Sequence, residues 1–113
     1  MTIEEKDLSE HTRLVKLQGS LDFESAKVVK PKFVEIADLE NIKLLVVDME
    51  DVDFLASEGL ASFLLAIMRM EKKDGQVWLV KTQPQVMRVF KLTRVENRFR
   101  FFDSLEEVHN NLP

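Results

Sequence analysis

Two apolar runs of strand length, separated by one segment of helix length, constrain this chain more than any other feature. KLLVVDM (Lys43–Met49) and QVWLVK (Gln76–Lys81) are nearly continuous in apolar residues rather than alternating. Runs of that kind suit strands buried on both faces, often parallel to their neighbours. The segment between them, Ser57–Lys73, has helical periodicity and ends in KKDG, where Gly75 is the expected C-terminal stop. Strand, helix and strand in this order make a parallel crossover unit. The two strands are therefore expected side by side and parallel, with the helix packed across them and Leu45 and Val47 buried.

The rest of the chain fits around that unit. TIEEKDL and HTRLVKLQG read as two short strands joined near Ser9–Glu10, the second closed by Gly19. Asp22 is placed to cap a helix from about Phe23 to Leu39. Pro31 lies inside it and predicts a kink, or a main helix that starts only at Pro31. PQVMRVFKLT opens with Pro84 as a short helix, NRFRFF is a fifth strand, and DSLEEVHNNLP is a terminal helix capped by Asp103 or Ser104. The fold class is α/β: a mixed sheet of four or five strands with about four helices, in one domain over residues 1–113. At 113 residues and 45% hydrophobic content the chain can bury a core of two or three layers.

In the central helix, Leu60, Phe63, Leu64, Ala66, Ile67 and Met70 share one face, and Ala61, Leu65 and Met68 widen it past half the circumference. A helix on one side of a sheet needs less. Either a neighbouring helix buries the second side, or Leu65 and Met68 face outward as part of a partner surface.

Several function classes fall away. With no cysteine there is no disulfide, thiolate metal site or cysteine nucleophile. The acidic start MTIEEKDLSE does not read as a signal peptide, and no apolar run is long enough for a membrane span; a cytoplasmic location fits. A net charge of −4 argues against direct nucleic-acid binding. That charge is uneven, with 14 acids against 7 bases in residues 1–60 and 6 against 9 in residues 61–113. His11 and His109 lie near opposite ends and read as surface residues. Asp48, Glu50, Asp51 and Asp53 offer carboxylates for a metal, but DMEDVDFLASEG lacks the central glycine of a calcium loop. Asp48 at a strand end also suggests a phosphoacceptor receiver, yet neither the segment LSEHT nor Lys81 in KTQP supplies the rest of that constellation. The acids from Asp48 to Glu58 read as a solvated loop or as an electrostatic rim.

Ser57 is the stronger lead. A hydroxyl at a helix start can cap free backbone amides, and Gly59 permits close approach, by packing within the chain or by a partner. A phosphate on Ser57 would add about −1.5 to −2 charges at neutral pH. The helix amides and dipole tolerate that charge, whereas Asp53, Glu58 and a closely pressed partner surface oppose it.

The order of these motifs resembles the STAS domain of bacterial anti-sigma factor antagonists, over almost the whole chain. LQGSLD resembles the family's turn after its second strand. LLVVDMEDVDFLASEGLASFL resembles its strand, loop and phosphorylatable serine before a glycine-led helix. VWLVKTQPQVMRVFKLTRVENRFRFFDSLEEV resembles its last strand, helix, strand and helix. The resemblance implies a protein-binding switch without catalysis or cofactor. The unmodified protein binds an anti-sigma factor that is a serine kinase of the histidine-kinase-like ATPase type, which frees the sigma factor. Phosphorylation of the serine breaks the complex, and a PP2C-type phosphatase resets it. Ser57 matches the phosphorylated serine and Asp22 the aspartate of the neighbouring turn. Read from the residues themselves, Asp53, Ala56, Glu58, Gly59 and Leu60 complete the partner surface, with Gly59 keeping the approach clear and Leu60 supplying apolar contact. The chain departs from the family's pattern at Ala56, where aspartate is usual, at Glu58, where serine or threonine is usual, and at Arg94, where glycine often follows LT. These departures keep open a STAS adaptor that is never phosphorylated, serving a transporter or another signalling complex. An enzyme or receiver built on Asp48 is the third reading.

Overall fold

The computed structural model describes all 113 residues. In chain order the elements are β1 (Thr2–Ser9), β2 (Thr12–Gln18), α1 (Phe23–Ala37), β3 (Leu44–Asp51), α2 (Ser57–Glu71), β4 (Gln76–Val80), α3 (Pro84–Leu92), a 3-10 turn (Glu96–Arg98), β5 (Arg100–Phe102) and α4 (Leu105–Asn111). One five-stranded sheet runs in the order β1-β2-β3-β4-β5. The hairpin β1–β2 is antiparallel, and β2–β3, β3–β4 and β4–β5 are parallel. The crossover unit expected from the two apolar runs is thus present, with Leu45 beside Val77 and Val47 beside Leu79.

Three successive crossovers stepping the same way across a sheet place their helices on one face. The larger core lies there. Val29, Phe33 and Ile36 of α1, Phe63, Ile67 and Met70 of α2, and Val86 and Phe90 of α3 pack with Val15, Leu17, Leu45, Val47 and Leu79 of the sheet. The opposite residues of the same strands, Leu44, Val46, Trp78, Val80 and Phe102, form a smaller core closed by Val108 of α4. This is why β3 reads as a continuous apolar run: its alternate side chains enter two different cores.

The broad apolar face of α2 is buried on two sides, against the sheet and against α1. Phe63 sits edge-on to Phe33 of α1 at 5.1 Å and to Phe90 of α3 at 5.6 Å between ring centroids. Leu64 and Leu65 are half-buried and Met68 is exposed. The outward-facing surface is therefore narrower than Leu65 and Met68 together.

Helices α1 and α2 differ in detail from the sequence reading, and the structure selects one of the two caps offered for α4. Helix α1 runs through Pro31 as one element from a complete capping box at Asp22, so the main helix does not begin at Pro31, and it ends at Ala37 rather than Leu39. Pro31 faces solvent, where the carbonyl it leaves unpaired can be hydrated. Helix α2 ends at Glu71, and the left-handed residue beyond it is Asp74, with φ 59°, not Gly75. Gly75 is needed for space: a Cβ there would lie 2.9 Å from the Lys43 carbonyl oxygen and 2.9 Å from Met70 Cε. At the terminal helix, Ser104 is the cap and accepts from the Glu107 amide at 3.1 Å.

Arg94 adopts φ 59° just after α3, at the position where the family pattern favours glycine. An L side chain in that region costs about 1–2 kcal/mol, partly offset by the lower entropy of its unfolded state. Arg94→Gly is expected to stabilise the fold by about 0.5–1 kcal/mol in urea unfolding. A loss of stability would mean that the arginine side chain holds the turn.

Candidate functional site

The β2–α1 turn and the β3–α2 loop are laced together beyond the ends of their strands. The Gly19 amide donates to the Asp51 carbonyl at 3.0 Å, the Leu21 amide to Phe54 at 2.9 Å, and the Ala56 amide to Leu21 at 2.9 Å. Leu21 and Leu55 form a parallel bridge. These bonds extend β2–β3 pairing past the register shift near Lys16–Gln18, and they bring the starts of α1 and α2, with Asp22 and Ser57, to one end of the sheet.

Ala56, not Ser57, is the N-cap of α2, and it contributes no side-chain bond. Ser57 is the first helical residue and is exposed. The expected capping role of its hydroxyl is therefore corrected. Its Oγ instead donates to Glu58 Oε2 at 3.2 Å. The hydroxyl closes no backbone bond, and the first amides of a 15-residue helix are left without a side-chain acceptor. Glu58 supplies the carboxylate beside the hydroxyl that Ala56 lacks.

Gly59 and Leu60 face inward. A Cβ on Gly59 would lie 2.7 Å from Leu21 Cγ, 2.7 Å from Leu55 Cδ1 and 2.8 Å from the Leu21 carbonyl oxygen. The glycine seats α2 against the laced loops and does not open a path for a partner. Leu60 is 7% exposed and belongs to the larger core. Neither residue offers contact surface, which corrects the expected apolar contact from Leu60.

Asp22 is the N-cap of α1. It accepts from the Ser25 amide at 2.9 Å and from Ser25 Oγ at 3.0 Å, while its own amide donates to Ser25 Oγ at 2.8 Å. The Ser25 amide, then its hydroxyl, holds the carboxyl below the ordinary carboxylate range. Asp53 is exposed and accepts from Ser20 Oγ at 2.9 Å, a further tie between the two loops.

The acids before Ser57 do not form one rim. Strand alternation turns Asp48 to the α4 side of the sheet, where it is 4% exposed, lies 3.8 Å from Lys16 Nζ and accepts from the Glu50 amide at 3.0 Å. Lys16 also reaches Asp51 at 3.4 Å, and Lys81 reaches Glu50 at 3.2 Å. Asp48, foremost, raises the Lys16 pKa. Gln18, then Lys16, holds Asp51 below its usual range. Asp48 is almost wholly buried, which closes its carboxylate to an incoming phosphoryl donor and weighs against the receiver reading. No group of three or more histidines or carboxylates is gathered in metal-holding geometry. His11 is exposed and donates from Nδ1 to the Asn41 carbonyl at 2.7 Å.

The sequence reading missed two exposed aromatics. Phe54, in the loop that delivers Ser57, is 52% exposed, and Phe23, the first residue of α1, is 55% exposed. A shallow groove between α1 and α2 is lined by Phe23, Ala26, Lys27, Lys30, Glu58 and Ala61. Lys27 Nζ stands 4.7 Å over the Phe23 ring. A signal for Phe23 lay in its helical phase, which at about 100° per residue falls outside the arc of Ala26, Val29, Phe33, Ile36 and Ala37.

Asp22, Asp51 and Glu5 all titrate below their ordinary values, Glu5 chiefly through its bond to Lys32. Their folded pKa values lie below the unfolded ones. The stability they contribute is present above the ordinary carboxylate range, about pH 4, and is lost as pH falls through the folded values. Asp22→Asn is expected to keep the cap at neutral pH and to flatten this acid limb, whereas Asp22→Ala loses the cap at every pH. Urea midpoints measured from neutral pH down through the acid limb decide this; an unchanged limb in the asparagine variant would remove Asp22 from the account.

The profile of the STAS domain family matches residues 5–108. The fold is shared with SpoIIAA, a Bacillus cell fate determinant solved in its phosphorylated form, at 16% identity and a TM-score of 0.78 over 96% of this chain and 98% of that one. An anti-sigma factor antagonist from Mycobacterium paratuberculosis matches at 24% identity and a TM-score of 0.80, covering 96% and 91%. A sulfate transporter family protein from Wolinella succinogenes matches at 17% identity and a TM-score of 0.72, covering 89% and 84%. At these identities the structural likeness establishes a common fold, and the profile match, spanning both laced loops and every helix start, establishes descent: the chain belongs to the STAS domain family.

Proposed function

We propose that this protein is an anti-sigma factor antagonist, a protein-binding switch governed by phosphorylation of Ser57. One observation carries the reading: the Ser57 hydroxyl stands exposed at the first turn of α2 with no structural task, bonded only to Glu58 at 3.2 Å. A group that holds nothing in the fold can be modified without unfolding it. The partner is an anti-sigma factor that is also a serine kinase of the histidine-kinase-like ATPase type, and a PP2C-type phosphatase restores the hydroxyl. The γ-phosphoryl group of ATP passes to Ser57 Oγ, ADP leaves, and Glu58 is the chain's own acceptor for the hydroxyl proton at the outset. Residues 1–113 act as one STAS domain in the cytoplasm. No turnover belongs to the domain itself, no cofactor is required, and transcription is affected through the partner rather than by contact with nucleic acid. SpoIIAA, which shares the fold, has been solved in both phosphorylated and unphosphorylated forms.

A second reading rests on Ala56 and Glu58, where the chain departs from the family pattern, and on the fold shared with the sulfate transporter family protein. In it the chain is a constitutive adaptor. The deciding experiment presents the purified protein and ATP to the anti-sigma kinase of its own cell and maps the product by mass spectrometry. Phosphate on Ser57, absent in Ser57→Ala and slowed in Glu58→Gln, supports the switch. No phosphate on Ser57 gives the adaptor the stronger claim.

A further inference from the structure

The two edges of the sheet differ. β5 is three residues long. β1 is eight residues long, pairs only with β2, and presents its other edge with free backbone donors and acceptors. Long free edges are commonly guarded by unmatched charge. On the α4 side of β1 the charges are Glu4 and Lys6, and neither makes an ion pair within the chain, although Arg13, Lys16, Lys32 and Lys81 all do.

The geometry points to β1 as the pairing surface for a second copy of this chain, the two strands meeting antiparallel about a two-fold axis at Glu5. A two-fold axis perpendicular to the sheet keeps each face on its own side, so only residues of the same parity oppose one another. Three central registers follow. An axis at Glu4 sets Glu4 against Glu4. An axis at Lys6 sets Lys6 against Lys6. An axis at Glu5 sets Glu4 of each copy against Lys6 of the other, twice. On the helix side this third register brings the two Glu5 residues together, but each is already held by its own Lys32 at 2.9 Å and Arg13 at 3.0 Å. Pairing with β2 is regular from Thr2 to Asp7, with an irregularity only between Asp7 and Ser9, so the segment Ile3–Asp7 that this register joins is regular throughout.

The charges across the sheet support the same register. Glu4 lies opposite Lys16 in β2, and Lys16 lies opposite Asp48 in β3. From Asp48 outward the row alternates negative, positive, negative. Lys6 of a second copy continues it with a positive charge. Opposite charges directly across a ladder are favourable and like charges are not. The backbone edge supplies the affinity and the charges select the register. None of the residues at the start of α2 takes part, so this surface does not depend on the phosphorylation reading.

The test is sedimentation of the full chain at concentrations up to about 1 mM, suited to a weak edge-paired dimer. The wild type is expected to dimerise reversibly. Glu4→Lys and Lys6→Glu each replace two attractive pairs by two repulsive ones and are expected to weaken association about tenfold. Mixing those two variants recreates Glu–Lys pairs at both positions and is expected to restore association to within about threefold of wild type. The double variant Glu4→Lys/Lys6→Glu is expected to do the same alone. Circular dichroism of every variant confirms folding. A wild type that stays monomeric throughout overturns the proposal. So does a dimer indifferent to the single reversals, or a mixture no stronger than its components.

Discussion

Phe63→Ala is expected to destabilise the protein by about 3–5 kcal/mol, near the upper end for a core truncation. Phe63 is fully buried and stands where α1, α2 and α3 meet over the sheet. Three aromatic neighbours, Phe33, Phe90 and Phe99, approach its ring edge-on with centroids 5.1, 5.6 and 6.4 Å away. The void left by alanine would be walled by rings fixed from three elements, so it collapses poorly, and cavity cost adds to lost transfer energy. Leu64→Ala, on the half-buried flank of the same helix, is expected to cost about 1–2 kcal/mol, since less of the side chain leaves contact. Urea unfolding with an unchanged slope measures both. If Leu64→Ala proved the costlier, α2 would be rotated from the orientation described.

The same helix shows which parts of the structure were legible in the sequence. The crossover unit was readable because β3 and β4 have two buried faces and therefore no alternation to misread. The extra width of the α2 stripe pointed to a second packed side, and α1 occupies it. The start of α2 at Ser57 was legible, but the identity of its cap was not. Ser57 has the side chain of a cap, but the cap is set by backbone bonding, and the Ala56 amide is tied to Leu21 from another loop. Gly59 and Leu60 were read as surface for the same reason. Their burial depends on Leu21 and Leu55, and no local pattern announces that contact. The acidic window read as a solvated loop or a rim because its residues lie close together in sequence. Asp48 lies within β3 and joins Lys16, whereas Asp53 lies in the loop beyond the strand and joins Ser20. Arg94 was noted as a departure from a family pattern, and its positive φ gives the physical reason for the usual glycine.

Phosphorylation of Ser57 is expected to weaken binding to the anti-sigma partner by about 100-fold or more, with little change in the fold of the free protein. The two halves of this expectation have separate causes. The fold is spared because the hydroxyl caps nothing, and because a phosphate at the first turn of α2 meets free helix amides and the positive end of the helix dipole. On the proposed reading, the complex breaks because a partner seated on this end of the sheet covers the exposed Ser57. A dry contact there would enclose a doubly charged group beside Glu58. Ser57→Ala is expected to bind within about twofold of wild type, since it removes only a bond to an exposed carboxylate. Ser57→Asp, with one charge and fewer oxygens, is expected to weaken binding about tenfold. Titration calorimetry of the partner against these forms, with the phosphate verified by mass spectrometry, separates the outcomes. Equal affinity of the phosphorylated and free proteins would mean that the partner docks elsewhere on the domain, and the exposed serine would then have no part in release.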